Sequence, residues 1–389
     1  MNSTNSSQTR HPAALFVTTV PITLEAFLIP FAEKFRSLGW RVDALANGAS
    51  ANPRIEGAYD NRFDVKWSRN PLSPSNLIGT ASAVRRIVKA GAYDIVHVHT
   101  PIAAFVTRFA LRNLSVDSRP TVIYTAHGFH FYEGGSSVGN ALYSRVERMA
   151  APWTDYLVTI NAEDYDSVRT MGGIAPERVR YIPGIGVDTD RYAPDAVEPA
   201  DITRIRRELD IADDAFVITM IAEFGPVKRH EHVLDALARV TNPQVVLVLV
   251  GDGPLESTLR EKAVALGLTP RLRWAGYRRD IPAVLAASDA FVLCSEREGL
   301  NRSVLEAMAS GKPVIGTQTR GIADAITAET GWTVPKHDVT ALAAAIEEAA
   351  ADPQATARRG AAGRKRAHAE YALPRIIDAY EELYREALR

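Results

Sequence analysis

Two glutamates eight residues apart, Glu298 and Glu306, stand in the segment SEREGLNRSVLEAMASGKPVIGT, which runs from Ser295 to Thr317. On a single helix that spacing separates two side chains by about 80°. Gly299 instead predicts a helix that begins only near Asn301 to Ser303, so Glu298 belongs to a loop and Glu306 to the helix. The backbone N–H groups of Gly299, Leu300 and Asn301 are then expected to stand unpaired at the helix N-terminus, where the partial positive charge favours a diphosphate. Glu298 is suited to accept hydrogen bonds from sugar hydroxyls and Glu306 from both hydroxyls of a ribose, and neither task requires a metal. The same residues have a plainer reading. Ser303-Val-Leu-Glu306 matches a capping box in which Glu306 only returns a hydrogen bond to the helix start, and Glu298 is then a solvated loop carboxylate.

Other chemistry-bearing residues follow predicted strands. Lys228, in EFGPVKRHEH after the strand ending at Ala222, is placed to reach a diphosphate, since a lysine is a compact charge with three donors; a solvated surface lysine is the alternative. His127 follows the strand Val122–Ala126 and precedes Gly128, at a strand's carboxyl end where an imidazole can hydrogen-bond a substrate or steady charge. His97 and His99 alternate on one strand and share a face. With no third ligand at convincing spacing, they read as strand-end residues and not as zinc ligands. The Asp-x-Asp pairs Asp164/Asp166 and Asp188/Asp190 read as caps and turn residues. Gly251-Asp-Gly253-Pro254 copies part of a dinucleotide fingerprint, but Pro254 and the missing third glycine argue against NAD.

Taken with TAHGFHFYEGG (Thr125 to Gly135), TDYLVTINAEDY (Thr154 to Tyr165), YIPGIGVD (Tyr181 to Asp188), LVGDGPLE (Leu249 to Glu256) and AGYRRDIP (Ala275 to Pro282), the Ser295–Thr317 segment resembles the retaining glycosyltransferases of the GT-B class, in the family that carries a Glu-x7-Glu motif (glycosyltransferase family 4, group 1). The order and spacing resemble those of bacterial members that extend exopolysaccharide, capsule or O-antigen units. The resemblance implies an α/β GT-B fold of two facing Rossmann-like domains with parallel sheets, and a C-terminal helix that crosses back to the first domain. It implies Glu298 on the donor sugar, Glu306 on the ribose, Lys228 on the diphosphate and His127 in the catalytic neighbourhood. Gly299, Leu300, Asn301, Arg229, Gly251, Arg278 and Ile281 fall on the donor side, and His99, Phe129 and His130, with Phe131 and Tyr132, on the acceptor side. The implied substrates are a nucleotide sugar, UDP-linked by analogy, and a polyprenyl-diphosphate-linked acceptor at the membrane surface, with no cofactor and no metal. The commoner family pattern has an arginine where this chain has Glu223, which leaves Arg229 as the second cation near Lys228 and weakens the case for a two-cation clamp. A sugar-nucleotide epimerase of the same architecture and a noncatalytic nucleotide-sugar-binding protein are the competing functions.

The elements that must position these groups are legible in the wider pattern. Short apolar runs alternate with longer amphipathic segments, as in parallel sheets covered by helices. Ten strands are predicted: Ala14–Thr19, Arg41–Ala46, Ile95–His99, Val122–Ala126 and Tyr156–Ile160 in the first half, and Val217–Ala222, Val245–Gly251, Leu272–Ala275, Ala290–Cys294 and Pro313–Thr317 in the second. The Pro-, Gly- and Asp-rich stretch from Tyr181 to Asp201 reads as the linker. It divides the chain into residues 1–187, completed by a final helix over 373–389, and residues 188–372. Ligands of open parallel sheets bind beyond the strands' carboxyl ends, so two such sheets are expected to face one cleft.

A chain of 389 residues with 46% hydrophobic and 23% charged residues is ordinary for a two-domain globular protein. Residues 1–187 carry 19 Lys and Arg against 15 Asp and Glu, a balance of +4, and the remainder 26 against 31, a balance of −5. The first half thus favours an anionic membrane surface modestly and gives no sign of nucleic-acid binding. One cysteine, Cys294, in an apolar strand fits a reducing cytoplasm. No apolar run is long enough to span a membrane, and the opening MNSTNSSQTR lacks a signal-peptide core, so any membrane contact is expected to be peripheral. In PITLEAFLIPFAEKFRSLG, Phe27, Phe31, Phe35 and Leu38 form a helical stripe ending at Gly39, while Leu28 and Ile29, beside Pro30, are candidates to meet a lipid.

Overall fold

The computed structural model describes residues 11–68, 70–115 and 118–389, so the MNSTNSSQTR opening lies outside the described residues. The chain forms two compact units, Met1–Ile182 with Ile377–Arg389, and Pro183–Ile376. These divisions fall a few residues from the expected ones for a local reason. Val187 donates its N–H to the Tyr371 carbonyl and accepts from the Leu373 N–H, both at 2.9 Å, which stitches the linker and the start of the last helix to the second unit.

The first unit is built on seven parallel strands: β1 (Ala13–Val17), β2 (Arg41–Ala46), β3 (Arg62–Asp64), β4 (Ile95–Val98), β5 (Thr121–Ala126), β6 (Tyr156–Thr159) and β7 (Val179–Tyr181), in the order β3-β2-β1-β4-β5-β6-β7. Its inner strands, such as AALFV and IVHV, are buried along their whole length, as parallel strands covered on both faces must be. The second unit holds β8 (Phe216–Ile221), β9 (Val245–Val250), β10 (Leu272–Gly276), β11 (Ala290–Leu293), β12 (Val314–Thr317) and β13 (Gly331–Val334), in the order β10-β9-β8-β11-β12-β13, again all parallel. All ten predicted strands are present. The three unpredicted ones, β3, β7 and β13, are edge strands of three or four residues whose sequences RFD, VRY and GWTV carry no apolar run.

The last helix, Leu373–Ala387, delivers two tyrosines to the first unit. Tyr384 stacks on Phe35 with ring centroids 4.4 Å apart and Tyr380 meets Phe31 edge-on at 5.3 Å. Phe31 and Phe35 are therefore core, while Phe27 is partly buried and Leu38, at the far end of the stripe, is 45% exposed; Gly39 ends the helix with φ +84°. Leu28 does not meet a lipid: it is 3% exposed. Three and seven residues before Phe31 and Phe35, Leu28 lies within about 60° of both on a regular helix and so shares their buried face; the π turn over Leu24–Leu28 precedes Pro30, which has no N–H to continue an ordinary ladder. Deeper in the same unit Arg108 is 0% exposed. Its guanidinium donates to Glu147 at 2.8 Å and to the Thr154 hydroxyl at 3.3 Å, and lies 4.3 Å from the Tyr124 ring centroid.

Candidate functional site

In the second sheet β8 and β11 are neighbours, and strand order reverses between them. At such a point the loops beyond the strands' carboxyl ends part and leave a crevice. The loop after β8 carries Lys228 and the loop after β11 carries Glu298. Lys228 Nζ lies 2.5 Å from Glu298 Oε1, and the same oxygen accepts from the Ser295 hydroxyl at 2.5 Å. The second Glu298 oxygen has no protein donor among the described residues, which leaves it available to hydroxyls. The backbone seats this carboxylate as firmly as its side-chain partners do. Glu296 N–H donates to Val227 O at 2.9 Å, tying the two loops together, and Arg320 Nε donates to the Glu298 carbonyl at 2.9 Å. Gly321, at φ +75°, lies so close that an added Cβ would fall 1.8 Å from the Gly299 oxygen.

The following helix spans Arg302–Ala309, with Asn301 as its N-cap accepting from Val304 N–H at 3.2 Å. The amides of Gly299, Leu300 and Asn301 make no hydrogen bond within the protein among the described residues. Ser303 lies inside the first turn, so the capping-box reading of Glu306 does not hold. Glu306 is 6% exposed and instead takes Arg302 Nε at 2.8 Å and the Tyr192 hydroxyl. Burial raises its carboxyl above the usual carboxylate range, against the opposing pull of Arg302 and Tyr192. Burial and the neighbouring carboxylate raise the Tyr192 phenol in turn, which keeps it a donor.

The other donor-side residues divide. Gly251, at φ +137°, backs onto the β8 loop so tightly that a Cβ would sit 2.2 Å from the Ala222 oxygen. Ile281 opens the helix Ile281–Ala286. Arg229, in the left-handed region at φ +50°, turns away from Lys228 to pair with Glu296 and Glu231, so the two cations do not form a clamp. Arg278 donates to Asp280 at 2.6 Å and to Glu208 at 3.1 Å, and its hydrogen bonds hold the Asp280 carboxyl down to about 2.

In the first unit, His127 follows β5 and His99 follows β4. Their rings meet through His99 Nδ1 and His127 Nε2, 3.2 Å apart. His97 completes a row of three imidazoles, its ring 4.0 Å from that of His99. Both of its nitrogens are occupied, by Tyr384 Oη at 2.5 Å and Thr125 Oγ1 at 2.8 Å. Burial lowers His127 to about 4, and burial with the neighbouring His127 lowers His97 to about 3; His99 is likewise depressed, mainly by burial. All three are therefore neutral near pH 7. Phe27 stacks on His127 at 6.5 Å. Phe129 is a buried wall residue stacked on Phe131 at 4.6 Å, and His130 lies 5.1 Å from Tyr143. Phe129, His130, Phe131 and Tyr143 line a cavity of about 280 Å³ with Thr19 and Ile102. One member of each Asp-x-Asp pair holds local structure: Asp164 accepts from Asn161 Nδ2 and Phe129 N–H, and Asp188 from Arg191 N–H.

Tyr192, Ser295, Arg320 and Gly321 were not singled out from sequence. Tyr192 sits in the Pro-, Gly- and Asp-rich linker, where nothing in its spacing marked it; the others act through contacts between loops that spacing does not reveal.

Residues 201–366 match the family described as Glycosyl transferases group 1, and residues 24–191 that described as Glycosyltransferase Family 4. The chain is 33% identical over 374 residues to the putative glycosyltransferase EpsD of Bacillus subtilis, covering 95% of each. It is 32% identical over 241 residues to an Escherichia coli UDP-Gal:alpha-D-GlcNAc-diphosphoundecaprenol alpha-1,3-galactosyltransferase, covering 61% of this chain and 60% of that one. Among solved structures, Anabaena Alr3699/HepE in complex with UDP and glucose superposes with a TM-score of 0.81 at 24% identity, over 97% of this chain and all of that one, which establishes a GT-B fold. With this architecture and these relatives, the chain belongs to the glycosyltransferases of group 1 and family 4.

Proposed function

We propose that this glycosyltransferase moves a sugar from a nucleoside diphosphate, UDP in the first instance, to a hydroxyl of a lipid-linked saccharide, with retention of anomeric configuration and without a metal. The observation that carries the reading is the Lys228–Glu298 pair, seated at the switch point of the second sheet beside the unpaired amides of residues 299–301. In this scheme Lys228 and those amides stabilise the diphosphate as its bond to the anomeric carbon breaks. Glu298 orients the sugar hydroxyls and Glu306 holds the ribose. His127, neutral at physiological pH, contributes a hydrogen bond on the sugar. The acceptor oxygen bonds to the anomeric carbon on the face the diphosphate leaves, and its proton passes to the departing phosphate oxygen. No side chain acts as a covalent nucleophile.

Support for the lipid-linked acceptor and for UDP comes from the printed names of the Escherichia coli relative and the Anabaena structure. Bacterial surface polysaccharide synthesis, on the inner face of the cytoplasmic membrane, is the setting that fits such an acceptor. The test is incubation with a panel of nucleotide sugars, with and without a polyprenyl-diphosphate saccharide, in the presence of a chelator, with the product linkage assigned by NMR. Transfer with inversion, or activity lost to the chelator and restored by manganese, overturns the mechanism. Epimerised nucleotide sugar formed without acceptor overturns the transfer itself.

A further inference from the structure

We propose that His99 is the positioning residue of His127: its Nδ1–H donates to His127 Nε2 and so fixes the tautomer in which His127 offers an N–H, at Nδ1, to the substrate. The inference rests on the hydrogen bond that the proposed function gives His127, and it names the atom that makes it. The two facing nitrogens are 3.2 Å apart, the ring centroids 5.4 Å apart, and the ring planes 29° from each other. Such rings lie side by side in nearly one plane, joined nitrogen to nitrogen, as an imidazole lone pair in the ring plane requires. Both rings are neutral near pH 7, because burial opposes their protonation. One proton therefore lies between the two nitrogens, and the tautomer of one ring dictates that of the other.

The far side of His99 decides which way that proton faces. Its Nε2 is buried and has no partner among the described residues. If His99 accepted at Nδ1, its own proton would sit on Nε2, an N–H buried without an acceptor. With the proton on Nδ1, only a lone pair is left bare, and buried N–H groups without a partner are the rarer case. His127 then accepts at Nε2 and carries its proton on Nδ1, which has no protein partner among the described residues. The packing keeps this register. His99 is 2% exposed, with its ring 4.0 Å from that of His97 and, edge-on, 6.0 Å from that of Phe16. His97 is fixed in turn by Tyr384 and Thr125, and Thr125 Oγ1 meets Tyr380 Oη at 3.0 Å. A half-turn of the His99 ring would set a carbon against His127 and lose the bond.

The experiment pairs transfer kinetics with NMR on the full chain and its variants H99N, H99L, H127A and H99L/H127A. An asparagine amide can donate towards His127 Nε2 from near the position of the imidazole Nδ1, whereas leucine fills the space and offers no donor. H99L should lower turnover at saturating substrates about 10-fold with donor KM within about twofold, and H99N should recover most of the loss. On the H127A background H99L should have no further effect, because a positioning residue acts only through its partner. Nitrogen shifts of ¹⁵N-labelled histidines, read without donor or acceptor, should show His127 as the Nδ1–H tautomer alone in the wild type and in H99N, and as a mixture in H99L. The wild-type spectrum tests the lock even if the leucine variant does not fold. Wild-type turnover in H99L, equal losses in H99L and H99N, the same factor lost on both backgrounds, or a proton on His127 Nε2 in the wild type would each overturn the proposal. If H127A turns over like the wild type while the spectrum shows the single tautomer, the role given to His127 in transfer fails and the lock stands; mixed tautomers in a wild type that H127A inactivates do the reverse.

Discussion

Replacement of Glu306 by glutamine separates donor binding from chemistry. The carboxylate is 6% exposed, and Arg302 Nε at 2.8 Å and the Tyr192 hydroxyl already direct it. If its acceptor capacity serves the two ribose hydroxyls, glutamine keeps the volume but replaces one acceptor oxygen with a donor and removes the charge. A hydrogen bond to a charged group contributes about 1.5–3 kcal/mol, so the donor Kd should rise about 10- to 150-fold. Turnover at saturating donor should stay within about threefold, since the lost interaction is made equally in ground and transition states. Stability should not fall, because burial disfavours the ionised carboxylate in the folded state. Isothermal titration with the nucleoside diphosphate gives Kd, and repeating it with the 2′,3′-dideoxy nucleotide closes a double-mutant cycle in which the two losses must not add. Acidification provides a further check. The raised carboxyl protonates at higher pH than an ordinary glutamate, so wild-type affinity should weaken early on the acid side while that of the glutamine variant stays flat. An unchanged Kd, or a fall in turnover at unchanged KM, refutes the assignment.

Changing His127 to alanine should slow turnover by about 10²-fold with little change in donor KM, measured by steady-state transfer kinetics; equal kinetics would remove the histidine from the chemistry. Changing Arg108 to methionine should cost about 3–5 kcal/mol in urea unfolding because Glu147 is left buried and unpaired, and adding Glu147→Leu should restore much of that. The histidine row makes the fold acid-sensitive. The folded-state values of His97 and His127 lie below the unfolded value, so their contribution is fully present above about pH 6.5 and is lost as pH falls towards 4 and then 3. Replacing His97 with asparagine should flatten that limb of a melting-temperature profile. Gly251→Ala should destabilise the second unit and abolish donor binding, because its Cβ meets the Ala222 carbonyl.

The strands that carry apolar runs, such as VVLVLV of β9, could be read directly, because full burial on two faces leaves one solution for such a run. β3, β7 and β13 could not: an edge strand is made by its neighbour, and RFD carries no pattern of its own. At the site, the division of Glu298 into a loop and Glu306 into the following helix was legible, because Gly299 interrupts the pattern between them. The direction of Arg229 was not, since its left-handed backbone, which depends on the local turn, aims it at Glu296. Leu28 is a different case. A 3.6-residue period already sets it about 20° from Phe35 on a regular helix, so its burial was legible in the spacing and the lipid-facing expectation overlooked it.

The contact between Tyr384 and His97 joins residues 287 apart in sequence, so the unit that leaves the ribosome first is the one completed last. Until the helix Leu373–Ala387 is released, nascent chains carry Phe31 and Phe35 without their aromatic cover, and a stop codon before Tyr380 removes core, not surface.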